Sequence, residues 1–375
     1  ILMRFTLSSS ALNARLQSLA KVINSKNSLP ILDSFLFEVS NSGLKITASD
    51  SENVMTSLVT LSECDGEGSF AVPNRTILDA VKELPEQPLS FDVDIEALTI
   101  KILYQNGMYN FTAQNADEYP HTQAVPDGAN VITMTSASLV SNITRSLFAT
   151  ATDELRPVMN GIYFDLTTDY LAIVATDGHK LVRNQDYTVK SENAASFILP
   201  KKPATLLKNV LSKDDNEVVI RFDDRSTEIR FAEGQLTCRL IEGNYPNYNS
   251  VIPQNPHNMN IDRKSLIGAL RRVLPFASDS SQQIRFHVSA GLMELNAEDI
   301  DFATSAKESV TCGYGGNPMS IGFKGSSMLD ILNNIESDDV IIQLADPSRA
   351  GVIVPDKQPE NEDILMLIMP MLLSD

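Results

Sequence analysis

The chain has 375 residues, of which 43% are hydrophobic and 21% charged, and its formal net charge is −18. This length predicts two or three domains, and the composition is typical of a soluble globular protein. The longest apolar run, 364-ILMLIMPMLL-373, is too short to cross a bilayer and is interrupted by a proline, which favours a buried strand or a partner-binding tail. The acidic total argues against binding nucleic acid unless the basic side chains are gathered on one surface.

The ends of the chain and its cysteines bear on location. Met3 is expected to be the natural first residue, preceded by a two-residue remnant, and no charged-then-apolar signal pattern opens the chain. The three cysteines are odd in number and far apart, at Cys64, Cys238 and Cys312. An odd number of widely spaced cysteines predicts buried free thiols in a reducing cytoplasm.

The predicted elements recur three times along the chain. Each unit opens with a short strand, a Ser, Thr or Asp cap and an apolar 3–4 period, in 5-FTLSSSALNARL, 132-ITMTSASLVSNI and 259-MNIDRKSLIGAL. Alternating strands follow, in 30-PILDSFLFEV with 44-LKITASD, 157-PVMNGIYFDL with 171-LAIVATD, and 284-IRFHV with 292-LMELNAED. A second strand and helix come next, in 69-SFAVPNRTILDAVKEL, 196-SFILPKKPATLLKNVL and 320-SIGFKGSSMLDILNNI. The units close on 119-YP, 245-YP and 369-MP.

These units are about 125 residues long, so each is large enough to hold its own core. The sequence therefore predicts an α+β protein of three tandem domains, each with two helices and antiparallel sheets. Turn-forming stretches at 127-DGAN-130 and 253-PQNPHN-258 place the domains at 1–127, 128–255 and 256–375.

One polar stretch, 173-IVATDGHKLVRN-184, has two interpretations. Asp177 and His179 follow an apolar strand, as an acid/base pair of an enzyme would. However, Asp50 and Asp299 occupy the matching positions of the other units, whereas His179 and Lys180 have no counterparts there. The repeat favours a structural aspartate at a strand-end turn, with the enzyme as the alternative.

The basic residues are concentrated on the predicted helices. The segments 8–23, 74–84, 136–150, 201–211, 263–274 and 324–335 carry thirteen Lys or Arg and three Asp or Glu, although the whole chain is acidic. Helix propensity alone does not explain this bias, because Glu is as good a helix former as Lys or Arg. We interpret the helices as one surface that faces a polyanion and binds phosphates without reading bases.

Motifs of catalysis are missing from the sequence. There is no P-loop pattern, no dinucleotide-binding fingerprint and no Gly-x-Ser-x-Gly elbow. The four histidines lack metal-ligand spacing, at His121, His179, His257 and His287. We expect no catalytic residues, no metal and no cofactor.

The triple repeat together with 173-IVATDGHKL-181, 244-NYPNY-248 and 369-MPMLL-373 resembles the bacterial DNA polymerase III beta subunit family of sliding clamps, over the whole chain from Met3. The resemblance implies a head-to-tail homodimer whose six domains form a ring, with helices lining the hole. Such a ring would encircle duplex DNA without sequence specificity and act as a non-catalytic processivity factor. Its partners would be the replicative polymerase alpha subunit, the clamp loader, and other polymerases and repair proteins that carry short linear motifs; no membrane is implied.

The family binds these motifs in a cleft between the second and third domains. Carried over, the cleft residues are Met159, Thr176, Gly178, His179, Lys180, Leu181, Pro246, Tyr248, Val251, Leu367, Met369, Pro370, Met371 and Leu372. The helix bases and the family positions together give a DNA-facing set of Lys26, Arg75, Arg145, Arg156, Lys201, Lys202, Arg263, Lys264, Arg271 and Arg272. Tyr109 and Phe276 fall at apolar positions of the subunit interface.

The chain departs from the family pattern at several of these sites. Ser250 stands where the family often has arginine, and Ser281 and Ser327 stand where it often has aromatic residues. An aromatic pair that often follows Arg156 is replaced by 157-PV-158, which weakens the expected DNA contact there. An alternative function is a scaffold that binds short linear motifs without DNA.

Overall fold

The computed structural model describes residues 2–373; Ile1, Ser374 and Asp375 lie outside the described residues. The elements of the first repeat are, in chain order, β1 (Leu2–Ser8), α1 (Ser9–Ala20), β2 (Ser34–Ser40), β3 (Gly43–Ser49), β4 (Asn53–Val59), β5 (Glu63–Asp65), β6 (Gly68–Pro73), α2 (Asn74–Val81), β7 (Pro88–Asp94), β8 (Thr99–Tyr104) and β9 (Gly107–Thr112).

The second and third repeats follow the same order of strands and helices, except that among the described residues the second has no short strand at the place of β5. Those of the second are β10 (Asn130–Thr135), α3 (Ser136–Leu147), β11 (Gly161–Leu166), β12 (Leu171–Thr176), β13 (Lys180–Asp186), β14 (Ala195–Pro200), α4 (Lys201–Val210), β15 (Glu217–Phe222), β16 (Ser226–Phe231) and β17 (Gly234–Arg239). Those of the third are β18 (His257–Asp262), α5 (Arg263–Val273), β19 (Gln283–Ser289), β20 (Leu292–Asp299), β21 (Thr304–Thr311), β22 (Gly313–Tyr314), β23 (Met319–Lys324), α6 (Gly325–Asn333), β24 (Asp339–Leu344), β25 (Gly351–Pro355) and β26 (Glu362–Ile368).

The prediction of two helices per repeat is confirmed over the described residues, with ends that differ from the predicted ones by a few residues. The first helix of each repeat begins at the predicted cap. The Ser8 hydroxyl accepts a hydrogen bond from an amide three residues on, at 3.2 Å, and Thr135 and Asp262 do the same at 3.1 Å and 2.7 Å. Each cap satisfies an amide that the first turn of a helix leaves without a partner.

The strands of residues 2–373 form four antiparallel sheets. Their orders are β5-β1-β7-β8-β9, β10-β15-β16-β17-β4-β3-β2-β6, β14-β11-β12-β13-β26-β25-β24-β18-β22 and β21-β20-β19-β23. The eight-stranded sheet joins the first and second repeats through the β4–β17 ladder, and the nine-stranded sheet joins the second and third through β13–β26. Consecutive repeats are therefore hydrogen-bonded through their backbones.

This sharing of sheets explains how the chain divides into two compact units. One comprises residues 1–140 and 202–240 and contains the five- and eight-stranded sheets; the other comprises 141–201 and 241–375 and contains the remaining two. The second repeat contributes to both units, because its two sets of strands belong to different sheets.

The cores lie between helices and sheets. In the first unit α1 buries Leu12, Leu16 and Leu19 at helical spacing, and Phe5 stacks on Phe91 with ring centroids 4.7 Å apart. Each such buried side chain stabilises the fold by about 1.5–3 kcal/mol relative to exposure.

The second unit has a core of the same kind. Its helix α5 buries Leu266, Leu270 and Val273, also at helical spacing.

None of the helices in residues 2–373 is long and apolar enough to cross a membrane. Cys64, Cys238 and Cys312 are free; Cys238 and Cys312 are buried as predicted, whereas Cys64 is only half-buried.

Candidate functional site

Asp177 is a turn residue between β12 and β13. Its Oδ1 accepts hydrogen bonds from the backbone amides of His179 and Lys180, each at 2.9 Å, and its Oδ2 lies 2.8 Å from Lys180 Nζ. Burial acts to raise the pKa of Asp177, but the Lys180 ammonium and the two amides outweigh it and hold the pKa below its ordinary value. A carboxylate held ionised in this way closes a turn and is poorly suited to proton transfer.

The same turn occurs in the other two repeats. Asp50 Oδ1 accepts hydrogen bonds from the amides two and three residues on, at 3.0 Å and 2.7 Å, and Asp299 Oδ1 does so at 3.0 Å and 3.3 Å. The structural interpretation of the three aspartates is confirmed. The acid/base interpretation of Asp177 is not supported.

The predicted cleft residues all fall in the second compact unit. Leu181 of β13 is paired with Leu367 of β26, so the two apolar side chains share one face of the nine-stranded sheet. Both belong to a buried cluster with Tyr248, which is 5% exposed. This cluster forms an apolar floor.

Two tyrosines of this floor were missed from the sequence. Tyr163 and Tyr245 stack with ring centroids 4.4 Å apart, and Tyr163 also meets the edge of Tyr248. Burial raises the pKa of all three phenols, and for Tyr248 a hydrogen bond to Asp165 at 2.7 Å adds to the rise. The repeated Tyr-Pro at the end of each of the first two units was the signal that could have identified Tyr245.

Apolar side chains also stand exposed beside this floor. Val251 is 53% exposed, Met369 42% and Leu372 95%. The other predicted apolar members are half-buried or exposed, at Met159, Pro246, Pro370 and Met371. Exposed apolar groups next to an apolar floor are typical of a surface that binds another chain.

The tail that follows β26 is held on both sides by backbone hydrogen bonds. The Met369 amide donates to the His179 carbonyl at 2.8 Å, and the Met371 amide donates to the Gly322 carbonyl at 2.7 Å. Gln283 Nε2 donates to the carbonyl of Leu372 at 2.8 Å. The tail is thereby fixed as one wall beside the floor.

The turn between β12 and β13 is closely packed. Thr176 Oγ1 donates to the Lys180 carbonyl at 2.7 Å and accepts from the Gly178 amide at 3.1 Å. Gly178 has φ +88°, and a Cβ there would lie 2.9 Å from an Arg156 nitrogen. Arg156 also pairs with Asp153 at 2.9 Å. Glycine is the residue that this turn accepts without strain.

The three serines that depart from the family pattern differ in exposure. Ser250 is exposed, and its hydroxyl donates to the Asn247 carbonyl at 2.7 Å. Ser281 is half-buried and accepts from the Gln283 amide at 3.3 Å, whereas Ser327 is buried in α6 at 6% exposure.

Most of the predicted DNA-facing cations are accessible. The exposed members are Lys26, Arg75, Arg156, Lys264, Arg271 and Arg272. Arg272 pairs with Glu308, and half-buried Lys201 has its pKa lowered by burial. Arg263 is half-buried and donates to the carbonyls of Ser337 and Leu332, at 2.6 Å and 2.9 Å.

Two members of that set need correction. Arg145 is only 9% exposed, and burial lowers its pKa, so its charge is not presented at the surface. Lys202 Nζ lies within hydrogen-bonding distance of the Val22 carbonyl, Asn24 Oδ1 and Asp50 Oδ2, at 2.7, 2.6 and 2.5 Å. An ammonium has three N–H donors, and all three are used inside the protein. Both residues are therefore removed from the DNA-facing set.

The two predicted interface residues lie near the open edges of sheets. Tyr109 is on β9, the edge strand of the five-stranded sheet, with its ring 4.9 Å from that of Tyr104. Phe276 is 41% exposed in the segment after α5, and the Thr304 hydroxyl at the start of edge strand β21 donates to its carbonyl at 3.4 Å.

No cluster of His, Cys, Asp or Glu within residues 2–373 is arranged to hold a metal ion.

Comparison with known proteins gives full-length similarity. Three family models match consecutive parts of the chain: the N-terminal, central and C-terminal domains of the DNA polymerase III beta subunit, at residues 3–123, 133–247 and 249–372. The beta sliding clamp of Pseudomonas aeruginosa is 29% identical over 99% of this chain and 100% of the relative, and that of Escherichia coli is 26% identical with the same coverage.

Solved structures agree with this similarity. The fold superposes on a Pseudomonas aeruginosa sliding clamp with a TM-score of 0.93 and 27% identity, covering 99% of this chain and 100% of that one. For the Thermotoga maritima DNA polymerase III beta subunit the TM-score is 0.88 and the identity 26%, with the same coverage.

Proposed function

This chain belongs to the DNA polymerase III beta subunit family, and from that premise we propose that two copies close into a ring that encloses duplex DNA. The chain consists of three tandem clamp domains and is a DNA polymerase processivity factor, an accessory protein and not an enzyme. The proposed domains are 1–127, 128–255 and 256–375. The proposed location is the cytoplasm.

We propose that the DNA contacts come from the exposed cations of the predicted set. Lysine and arginine beside phosphates release counterions, which gives binding that depends on salt and ignores base sequence. The contrast between these cations and a net charge of −18 supports the proposal, since the remaining surface repels DNA. Arg272 would have to exchange its pairing with Glu308 for a phosphate.

The proposed dimer joins the chains head to tail. Support comes from β9 and β21, which are open sheet edges in different repeats, each near a predicted interface residue. An open strand edge has unpaired backbone groups ready to bond with another chain. A contact between two different surfaces closes into a ring when the rotation allows it, and two chains then supply six domains.

We propose that the cleft around Leu181 and Leu367 binds short linear motifs of partner proteins. The proposed partners are the replicative polymerase alpha subunit, the clamp loader, and other polymerases and repair proteins. An apolar floor with a few oriented polar groups suits a peptide of mixed character, and methionines such as Met369 adapt to varied side chains. A ring that holds DNA and a polymerase together keeps their effective concentration high.

The observation that carries this proposal is the exposed apolar rim over a buried apolar floor, in a chain that matches the family along its length. A scaffold that ignores DNA is the weaker candidate, because it leaves the basic helices unexplained.

The test measures solution mass together with retention on nicked circular and on linear DNA. We expect twice the chain mass, slow release from circles and rapid loss from linear ends. The double variant K264E/R271E should shorten retention on circles about tenfold at physiological salt. The matched control K357E reverses an exposed lysine in the loop between β25 and β26 and should release at the wild-type rate. Equal retention on both DNA forms would overturn the ring.

A further inference from the structure

The β4–β17 ladder reproduces the strand pairing that builds the candidate cleft. Across the turns, Ser49 pairs with Val54 as Thr176 pairs with Leu181. On the other side of the ladder, Val54 pairs with Thr237 as Leu181 pairs with Leu367. Val54 and Thr237 therefore occupy, in the first compact unit, the positions of the two floor leucines in the second.

The backbone around this ladder matches as well. The Arg239 amide donates to the Glu52 carbonyl at 3.1 Å, the counterpart of the bond from Met369 to His179. Ser51 has φ +81°, the left-handed conformation that Gly178 adopts in the equivalent turn. Each site thus has the same turn and the same first bond beyond the ladder.

The segments that pass over the two sheets also correspond. Tyr119 and Tyr245 are each followed by a proline, and burial raises the pKa of both phenols. In the first unit residues 119–122 lie along a groove of about 630 Å³ on the eight-stranded sheet. We call it the β4/β17 groove.

The lining of the β4/β17 groove is part apolar and part cationic. Its larger apolar side chains include half-buried Leu36, Val54 and Phe231 and the 60% exposed Leu58. Apolar groups of this kind, exposed in a concave site, suit the side chains of a bound chain.

The charges around the β4/β17 groove are mainly positive. The lining cations are Lys45 and Arg230, against one lining carboxylate, Glu38, and the His121 side chain lies beside them. The side chains of Lys45 and Arg230 are 48% and 57% exposed, although each also contacts a carboxylate of the protein. In a chain of net charge −18, this is a local site that an acidic ligand complements.

We propose that the β4/β17 groove is a second peptide site, which takes a short extended segment of a partner protein with acidic residues around one or two apolar side chains. The inference rests on the proposed function in taking the candidate cleft as a peptide site. Thr237 and Gln235 replace the apolar Leu367 and Leu365 of the cleft, so the second site prefers a more polar, acidic peptide. One chain would then hold two different segments at once.

The test uses a fluorescein-labelled hexapeptide, Asp-Glu-Leu-Phe-Asp-Glu, with a photoreactive benzoyl group on the phenylalanine. Mass spectrometry after crosslinking to the full-length protein locates the bound peptide. Wild type should crosslink within 54–58 and 231–237. For a peptide with lysines in place of the acidic residues, the yield of crosslinks in these groove segments should be about tenfold lower.

Paired variants separate the two sites. L58E/R230E changes exposed groove residues and should lower affinity at the groove about tenfold, while crosslinks within 172–181 and 365–372 stay unchanged. V251D/M369E changes the exposed rim of the cleft and should leave the groove crosslinks intact.

The outcomes distinguish this inference from the proposed function. Absence of groove crosslinks in wild type, or groove crosslinks insensitive to L58E/R230E, overturns the second site, whatever happens at the cleft. Absence of cleft crosslinks in wild type, with groove crosslinks present, removes the cleft assignment and leaves the groove. Retention on nicked circular DNA, measured on the same variants, reports on the ring separately.

Discussion

The ammonium of Lys202, in the second helix of the second repeat, lies 2.5 Å from Oδ2 of Asp50, in a strand-end turn of the first repeat. The Asp50 side chain is 5% exposed and that of Lys202 is 35% exposed. Asp50 also accepts hydrogen bonds from the two backbone amides of its own turn. One carboxylate therefore both closes a turn and binds a lysine that lies 152 residues further along the chain. This pair fastens two repeats within the first compact unit.

Replacing Lys202 with methionine should lower the free energy of unfolding by about 2 kcal/mol. The variant leaves the buried Asp50 carboxylate without its cation. Burying a charge away from water without its partner lowers the free energy of unfolding. Urea unfolding followed by circular dichroism measures the change. The control K208M removes an exposed lysine of the same helix and should shift stability by less than about 0.5 kcal/mol. Equal effects of the two variants would contradict the structural role of Lys202.

The Asp50 pair should also make stability depend on pH. Burial acts to raise the pKa of Asp50, but Lys202 and the turn hydrogen bonds prevail and the folded pKa lies below its ordinary value. The unfolded chain therefore binds this proton more readily, so the stabilisation is present above a pH of about 4 and is lost as pH falls through the folded pKa. The free energy of unfolding of D50N should be lower than that of wild type at pH 7, and this difference in free energy should shrink as the pH is lowered. If the two free energies of unfolding differed by the same amount from pH 7 down to about pH 3, the ionised Asp50 would not be the source of the stabilisation.

Gly322 holds the C-terminal wall of the candidate cleft in place. A Cβ at this position would lie 2.7 Å from the Met371 carbonyl oxygen and 2.8 Å from Gln283 Nε2. G322A should displace the tail, increase amide exchange in residues 369–373 and weaken the binding of partner peptides. At Gly315 an added Cβ meets nothing within 4 Å, so G315A is the matched control and should leave exchange in the tail unchanged. An unaltered tail in G322A would show that the wall does not depend on this close approach.

The floor and the rim of the cleft should respond differently to truncation. Leu367 is 2% exposed, so L367A should lower the free energy of unfolding by about 2–4 kcal/mol and also weaken peptide binding. Leu372 is 95% exposed, so L372A should change stability by less than about 0.5 kcal/mol while still weakening peptide binding. Thermal unfolding and titration of a labelled peptide from the cognate polymerase alpha subunit separate the two effects. Unchanged affinity in both variants would argue against the cleft.

Local patterns in the chain were sufficient for much of the fold. The caps at Ser8, Thr135 and Asp262 identified the starts of three helices, because a cap acts on amides within the same turn. The recurrence of Asp50, Asp177 and Asp299 showed that Asp177 belongs to a turn, since each bonds to amides only two and three residues away. The cleft residues, in contrast, are predicted by the family resemblance and by no local pattern, because they come from segments far apart along the chain.

Charge was predicted less well than secondary structure. The sequence assigned Arg145 and Lys202 to a surface because both lie on helices whose bases outnumber their acids. Whether a helical cation faces solvent depends on what packs against that helix. Arg145 is enclosed, and Lys202 finds its acceptors in the first repeat.

By itself the sequence determined the threefold repeat, the helices and the turns, because these depend on residues that are neighbours along the chain. The tertiary structure alone decided that β4 pairs with β17 and β13 with β26, ladders whose strands are about 180 residues apart. It also decided which tyrosines stack beneath the cleft and that a second groove lies in the equivalent place. Contacts between distant segments form where two surfaces pack best, and no local pattern along the chain specifies that choice.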